Sequence, residues 1–198
     1  KMTYGPDGTS PVTDAEYTDY VNNDCYYIEA VQFPLVNYST YSMADDDQKA
    51  AIMATAESCT GGLIAKRLTD VSGSSQVFRG GVVSYTNEVK HGVLGVPQAL
   101  LDQYGAVSEP VARAMAEGAR QALGCDLALA STGVAGPDRD DRGNEVGTMF
   151  VAIAAPDGTH VRPLHLGGRP VRGRLRTQTA HHALDLARRW LSGLPLED

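Results

Sequence analysis

The stretch KAAIMATAESCTGGLIAKRLTDV, residues 49–71, decides the fold. Its first half, KAAIMATA, reads as a short buried strand, a continuous apolar run rather than an alternating one. Its second half, GGLIAKRLTDV, reads as a helix, with Leu63, Ile64, Arg67 and Leu68 at helical spacing. Between them, TAESCTGG (55–62) packs three hydroxyls, a thiol, a carboxylate and two glycines into eight positions. A strand that hands over to a helix through such a turn is the repeating unit of an α/β sheet.

The pattern continues on the C-terminal side. VSGSS (71–75) is a loop, and GGVVSY (80–85) is a second strand followed by the polar loop Tyr85–Lys90. VPQALLDQY (96–104) is a short helix ended by Gly105. SEPVARAMAEGARQALG (108–124) is a longer one, capped by Ser108, with Pro110 in the first turn and Gly124 as its stop. DLALAS (126–131) is a third strand running into TGVAGP, and residues 147–166 form two strands joined through Pro156-Asp157-Gly158. A closing helix carries Leu175, Leu184, Ala187, Trp190 and Leu191 as its apolar stripe. The expected fold is a three-layer α/β/α sandwich with a mixed, mainly parallel sheet. Ligands of such sheets bind beyond the strand carboxyl ends, so the loops Glu57–Gly62, Tyr85–Lys90 and Thr132–Pro137 should converge on one site.

Composition bounds the rest. The 198-residue chain is 42% hydrophobic, has a net charge of −7 and contains no apolar run long enough to span a membrane. Residues 1–48 hold one basic residue against nine acidic ones, and seven of the nine tyrosines precede position 42. Residues 1–43 therefore read as an acidic, tyrosine-rich arm, and 44–198 as the folded domain. The acidic balance argues against nucleic-acid binding. Three scattered cysteines and the absence of a secretion-signal pattern predict a reduced, cytoplasmic protein without disulfides. No cysteine pair has zinc-ligand spacing, and the adjacent His181 and His182 of the closing helix point to different faces, so no metal is expected.

Several residues could carry chemistry. Ser58, where a strand meets a helix, could attack a carbonyl, cradle an anion or cap the helix. Cys59 is the rival nucleophile but has no histidine nearby in sequence to make a thiolate, and Glu57 could orient a base or ribose or only join a surface pair. Lys90 could serve as a base if burial lowers its pKa, or be a solvated loop lysine. A Ser–Lys pair with a tyrosine alongside, here Tyr85, hydrolyses amides without histidine or metal. Ser75 could relay a proton from its loop or belong to a plain turn. Thr132 and Gly133 allow close backbone approach to a ligand, and Arg169 suits a phosphate, whereas Arg172, Arg174 and Arg176 read as surface residues.

TAESCTGGLIAKRLTDVSGSS, GGVVSYTNEVKHGVLGV, GAVSEPVARAMAEGA, STGVAGP and VGTMFVAIA, in this order and spacing, closely resemble the CinA C-terminal domain family, also known as the PncC or nicotinamide-nucleotide amidase family. The likeness runs from about residue 50 to 192. It implies hydrolysis of nicotinamide mononucleotide to nicotinic acid mononucleotide and ammonia, with no cofactor and no metal, in a homodimer or larger homo-oligomer. It also implies Ser58 as nucleophile, Lys90 as general base, Tyr85 as an orienting or relaying residue and Ser75 as an alternative nucleophile or relay. Thr60, Gly61, Thr132 and Gly133 would line the nucleotide pocket, N–H groups near Cys59–Gly61 would hold the oxyanion, and Arg169 would meet the 5′-phosphate. The chain departs from the family pattern in DRDDRGNEVGT (138–148), where Asn144-Glu145 replaces Lys-Pro, and in the acidic arm that stands where a helix is usual. A non-catalytic nucleotide- or protein-binding module of the competence/damage-inducible type is the alternative function.

Overall fold

The protein is described by a computed structural model covering residues 51–167 and 171–196; the acidic arm and its boundary at 43 lie outside the described residues. In chain order the elements are β1 (Met53–Glu57), α1 (Leu63–Thr69), a 3-10 turn (Ser74–Gln76), β2 (Phe78–Val83), α2 (Asn87–Leu94), α3 (Gln98–Tyr104), α4 (Glu109–Leu123), β3 (Leu127–Gly133), β4 (Thr148–Ala155), β5 (Gly158–His165) and α5 (Arg172–Leu191). One five-stranded sheet has the order β2-β1-β3-β4-β5. β1 pairs in parallel with β2 and β3, and β4 pairs antiparallel with β3 and β5. Four strands thus point one way and β4 alone runs against them, which gives the expected mixed sheet.

The two sheet faces differ in side-chain size. Met53, Leu127, Leu129, Met149, Val151 and Ile153 pack with Ile64 and Leu68 of α1 and with Leu175, Leu184 and Leu186 of α5. The alternate strand positions are nearly all alanine: Ala54, Ala56, Ala128, Ala130, Ala152 and Ala154 meet Val111, Ala112, Met115, Ala116 and Ala119 of α4. Side chains alternate across a strand, so a pattern such as LALAS (127–131) writes one wide and one thin layer into the same segment. The thin layer brings α4 close to the sheet. On the wide side, Asp185 of α5 accepts hydrogen bonds from Arg188, Arg189 and, at 3.4 Å, Arg162 of β5.

Close approach continues outward to α2, where a methyl group on Gly118 of α4 would lie 1.9 Å from the Leu94 carbonyl oxygen and 2.9 Å from its carbon. Alanine is ordinarily the better helix residue by about 1 kcal/mol. Here both obstructing atoms are backbone, so the overlap wins and Gly118→Ala should destabilise the fold by about 1–3 kcal/mol in denaturant unfolding.

α2 is the element that the sequence pattern does not announce. Residues 85–90 read as a polar loop, yet the helix begins at Asn87, with Thr86 extended at its N-cap, Glu88 in the first turn and left-handed Gly95 (φ 67°) as its stop. Its two buried side chains are Leu94 and, one turn earlier, Lys90. A lysine in the buried position breaks the apolar pattern that would have revealed it.

Candidate active site

Ser58, Tyr85 and Thr132 follow or end β1, β2 and β3, and the three-strand parallel register places them at the same end of the sheet, with Glu57 opposite Val83 on one side and Ser131 on the other. A cavity of about 240 Å³ opens there, lined among others by Ser58, Cys59, Tyr85, Lys90, Thr132 and Arg172. A larger groove of about 440 Å³ between the α2–α3 connection and α4 contains no serine, cysteine, lysine or histidine.

Lys90 is the centre of the small cavity. It is 1% exposed, and its Nζ lies 3.1 Å from Ser58 Oγ and 2.9 Å from the Ser84 carbonyl oxygen. As an ammonium it donates to both; as an amine it can accept the Ser58 hydroxyl hydrogen. Burial disfavours the ammonium and lowers the lysine pKa, against the pull of Cys59 and of Glu88. The Cys59 contribution requires a thiolate. Burial pushes that thiol up to about 12, so it is uncharged at neutral pH and leaves only Glu88 to favour the ammonium. The same shift removes Cys59 as a nucleophile, although it lines the cavity.

The turn that presents Ser58 is built by Glu57. Its carboxylate is 1% exposed and accepts from the Thr60 hydroxyl at 2.7 Å, the Ile64 N–H at 2.9 Å and the Ala65 N–H at 2.8 Å. Gly61 and Gly62, both left-handed (φ 61° and 92°), let the chain double back into α1. Of the N–H groups expected to open towards a ligand, that of Gly61 is therefore taken up within the turn. The amino end of α1 is turned onto Glu57, Gly61 N–H donates to the Ser58 carbonyl, and Ser58 N–H donates to the Ser131 carbonyl. A buried carboxylate needs donors of its own and takes the helix start first.

The other anticipated residues divide. Tyr85, Thr132 and Gly133 join Ser58 and Lys90 on the cavity wall. Thr132 gives its hydroxyl hydrogen to the Ala106 carbonyl at 2.7 Å, which holds the α3–α4 loop against the site. Thr60 and Gly61 do not line the cavity. Thr60 is fully buried behind it, between Glu57 and Ser131 Oγ, and Gly61 is exposed beside Arg176. Ser75 is exposed in the 3-10 turn before β2, at the opposite end of that strand from Tyr85, roughly 20 Å away by strand rise. Arg169 lies outside the described residues. The altered loop backs the α3–α4 wall, with the Asn144 amide 3.5 Å from the Val107 carbonyl oxygen.

Two arginines taken for surface residues belong to the site. Arg172 lines the cavity, and Arg176, one turn later on α5, donates to the Cys59 and Thr60 carbonyls at 3.1 and 2.7 Å. Their i, i+4 spacing places them on one helix face, and this is the signal that could have found them. Among the described residues no cluster of His, Cys, Asp and Glu could hold a metal ion, and no helix is long and apolar enough to cross a membrane.

Solved proteins share this fold. A family model described as the CinA C-terminal domain matches residues 40–191. A CinA-like protein of Frankia casuarinae is 53% identical over 150 residues, 75% of this chain and 34% of that protein. A CinA-like protein of Geobacter sulfurreducens is 54% identical over 144 residues, 73% of this chain and 34% of that protein. The chain thus spans about a third of the length of these relatives. The solved competence/damage inducible protein CihA from Agrobacterium tumefaciens superposes with a TM-score of 0.73 at 34% identity, over 84% of this chain and 95% of that one. A competence-damaged protein (CinA) superfamily structure from Escherichia coli gives 0.71 at 26% identity, over 97% and 99%. The matched span is the domain that carries the Ser58–Lys90 cavity, and the chain belongs to the CinA C-terminal domain family.

Proposed function

We propose that the chain is an amidohydrolase that converts nicotinamide mononucleotide to nicotinic acid mononucleotide and ammonia, with Ser58 as nucleophile and Lys90 as general base. The observation that carries this reading is the buried Lys90 amine 3.1 Å from Ser58 Oγ, with its pKa lowered by that burial. Neutral Lys90 takes the hydroxyl proton as the serine oxygen bonds to the carboxamide carbon. The ammonium so formed returns the proton to the departing nitrogen, the C–N bond breaks, and ammonia leaves. Water then attacks the acyl ester, gives its proton to Lys90 and releases the acid, while Ser58 recovers its hydrogen.

An ammonia assay across nicotinamide, its riboside and its mononucleotide tests the reading. The mononucleotide should be hydrolysed fastest, and wild-type protein that binds it yet releases no ammonia over hours overturns the proposal. In the same assay Ser75→Ala should keep wild-type kcat and KM, because that side chain is exposed at the far end of β2. The solved relative from Agrobacterium tumefaciens is named a competence/damage inducible protein, and on that ground the second reading is a non-catalytic nucleotide- or protein-binding module. It would be supported if Ser58→Ala and Lys90→Ala left the biological role intact.

A further inference from the structure

Arg172 stands at the first position of α5, exposed, with its guanidinium held at two points. Nη1 donates to the Gly136 carbonyl at 2.7 Å, and Nη2 donates to Tyr85 Oη at 2.8 Å. A guanidinium has donors and no acceptor, so in this pair the phenol oxygen must accept. Its own hydrogen is left for a third group. A phenol that accepts from a cation is also a stronger donor, because hydrogen bonds in sequence polarise one another. Tyr85 is 57% exposed, so little packing fixes its ring, and the contact with Arg172 does.

Amide hydrolysis through Ser58 needs a donor for the oxygen that becomes negative as the carbonyl is attacked. Several of the groups near Ser58 are committed elsewhere. Ser58 and Gly61 N–H serve backbone carbonyls, Ile64 and Ala65 N–H serve Glu57, and Thr132 has given its hydroxyl hydrogen to Ala106. Tyr85 shares the cavity wall with Ser58 and has a hydrogen to give. We propose that Arg172 is a positioning residue that fixes Tyr85 as a hydrogen-bond donor into the cavity, serving the oxyanion formed when Ser58 attacks. This rests on the amidase reading above for the identity of the acceptor.

A double-mutant cycle tests it, with kcat and KM measured for nicotinamide mononucleotide in Tyr85→Phe, Arg172→Met, Arg172→Lys and the Tyr85→Phe/Arg172→Met pair. Tyr85→Phe should lower kcat by roughly 10²-fold, the usual effect of losing one oxyanion donor. Arg172→Met should lower it about tenfold with little change in KM, Arg172→Lys should restore part of that loss, and the double variant should be no slower than Tyr85→Phe. Effects that multiply in the double variant overturn the inference, as does full kcat in Tyr85→Phe. A rise in KM confined to the phosphorylated substrate also overturns it, since Arg172 would then bind the phosphate directly. If wild type releases no ammonia, it is the amidase reading that fails. The cycle is then run on the rate at which a fluorophosphonate adds to Ser58, an Oγ–P bond forming as fluoride leaves and the proton passes to Lys90. The same non-multiplicative pattern there sustains the inference, and a multiplicative pattern, or no addition to wild type, ends it.

Discussion

Lys90→Ala should release ammonia from nicotinamide mononucleotide at least roughly 10²- to 10⁴-fold more slowly than wild type, the range expected for loss of a general base. Ser58→Ala should fall at least as far, and the pair together little further, because the two act as a unit. Lys90→Arg should not rescue the rate. A guanidinium keeps its proton at any working pH and cannot accept one from Ser58. Cys59→Ala should retain activity, since a thiol whose pKa is pushed up to about 12 contributes neither charge nor nucleophile at neutral pH. Circular dichroism should show native secondary structure in Lys90→Ala: the side chain borders a cavity, and water can reach the freed Ser84 carbonyl.

The pH dependence follows from the same burial. Only the amine form of Lys90 can take the serine proton, so kcat/KM should rise with pH through the free-enzyme pKa of this residue. Desolvation sets that pKa below the ordinary lysine value, with exposed Glu88 opposing it weakly across solvent. Glu88→Gln should therefore move the rising limb slightly to lower pH. A limb that stays at the ordinary lysine value in wild type would show that Lys90 is not the base.

What could be read from the chain, and what could not, divides along physical lines. β1, β3 and α4 are legible because buried strands and amphipathic helices repeat at fixed periods, and LALAS shows both periodicity and the thin alanine layer. The nearness of Ser58 and Lys90, 32 positions apart, follows from parallel strands that end at one sheet edge, and sequence order suffices to predict it. α2 is hidden because the side chain it buries is the lysine the site needs. The direction of the α1 N–H groups is hidden for another reason. Glycines in a turn report that the chain bends; which acceptor takes the helix start depends on a carboxylate five or more positions earlier. Arg172 and Arg176 read as surface charge because their partners are backbone carbonyls and a phenol, which leave no mark of charge pairing in the sequence.

Glu57 tests that account from the side of stability. Glu57→Ala removes the acceptor of two amides at the start of α1 and one of the two partners of the Thr60 hydroxyl, in a region that is 0–1% exposed at Glu57, Thr60 and Ile64. A hydrogen bond to a charged group contributes about 1.5–3 kcal/mol, and each buried donor left unpaired costs about 1–3 kcal/mol. Water entering the space vacated by the side chain offsets part of this. The expected loss is about 3 kcal/mol, or roughly 6–12 °C in Tm for a domain of this size. Glu57→Gln should lose about half as much, because its amide oxygen still accepts one N–H while its NH₂ faces another donor. Both should lower kcat as well, since Ser58 is the next residue and its turn is held by the same bonds. A Glu57→Ala protein with unchanged Tm would mean that water caps α1 as well as the carboxylate does. If its kcat were unchanged too, the bonds from Glu57 to α1 would have no part in holding Ser58 against Lys90.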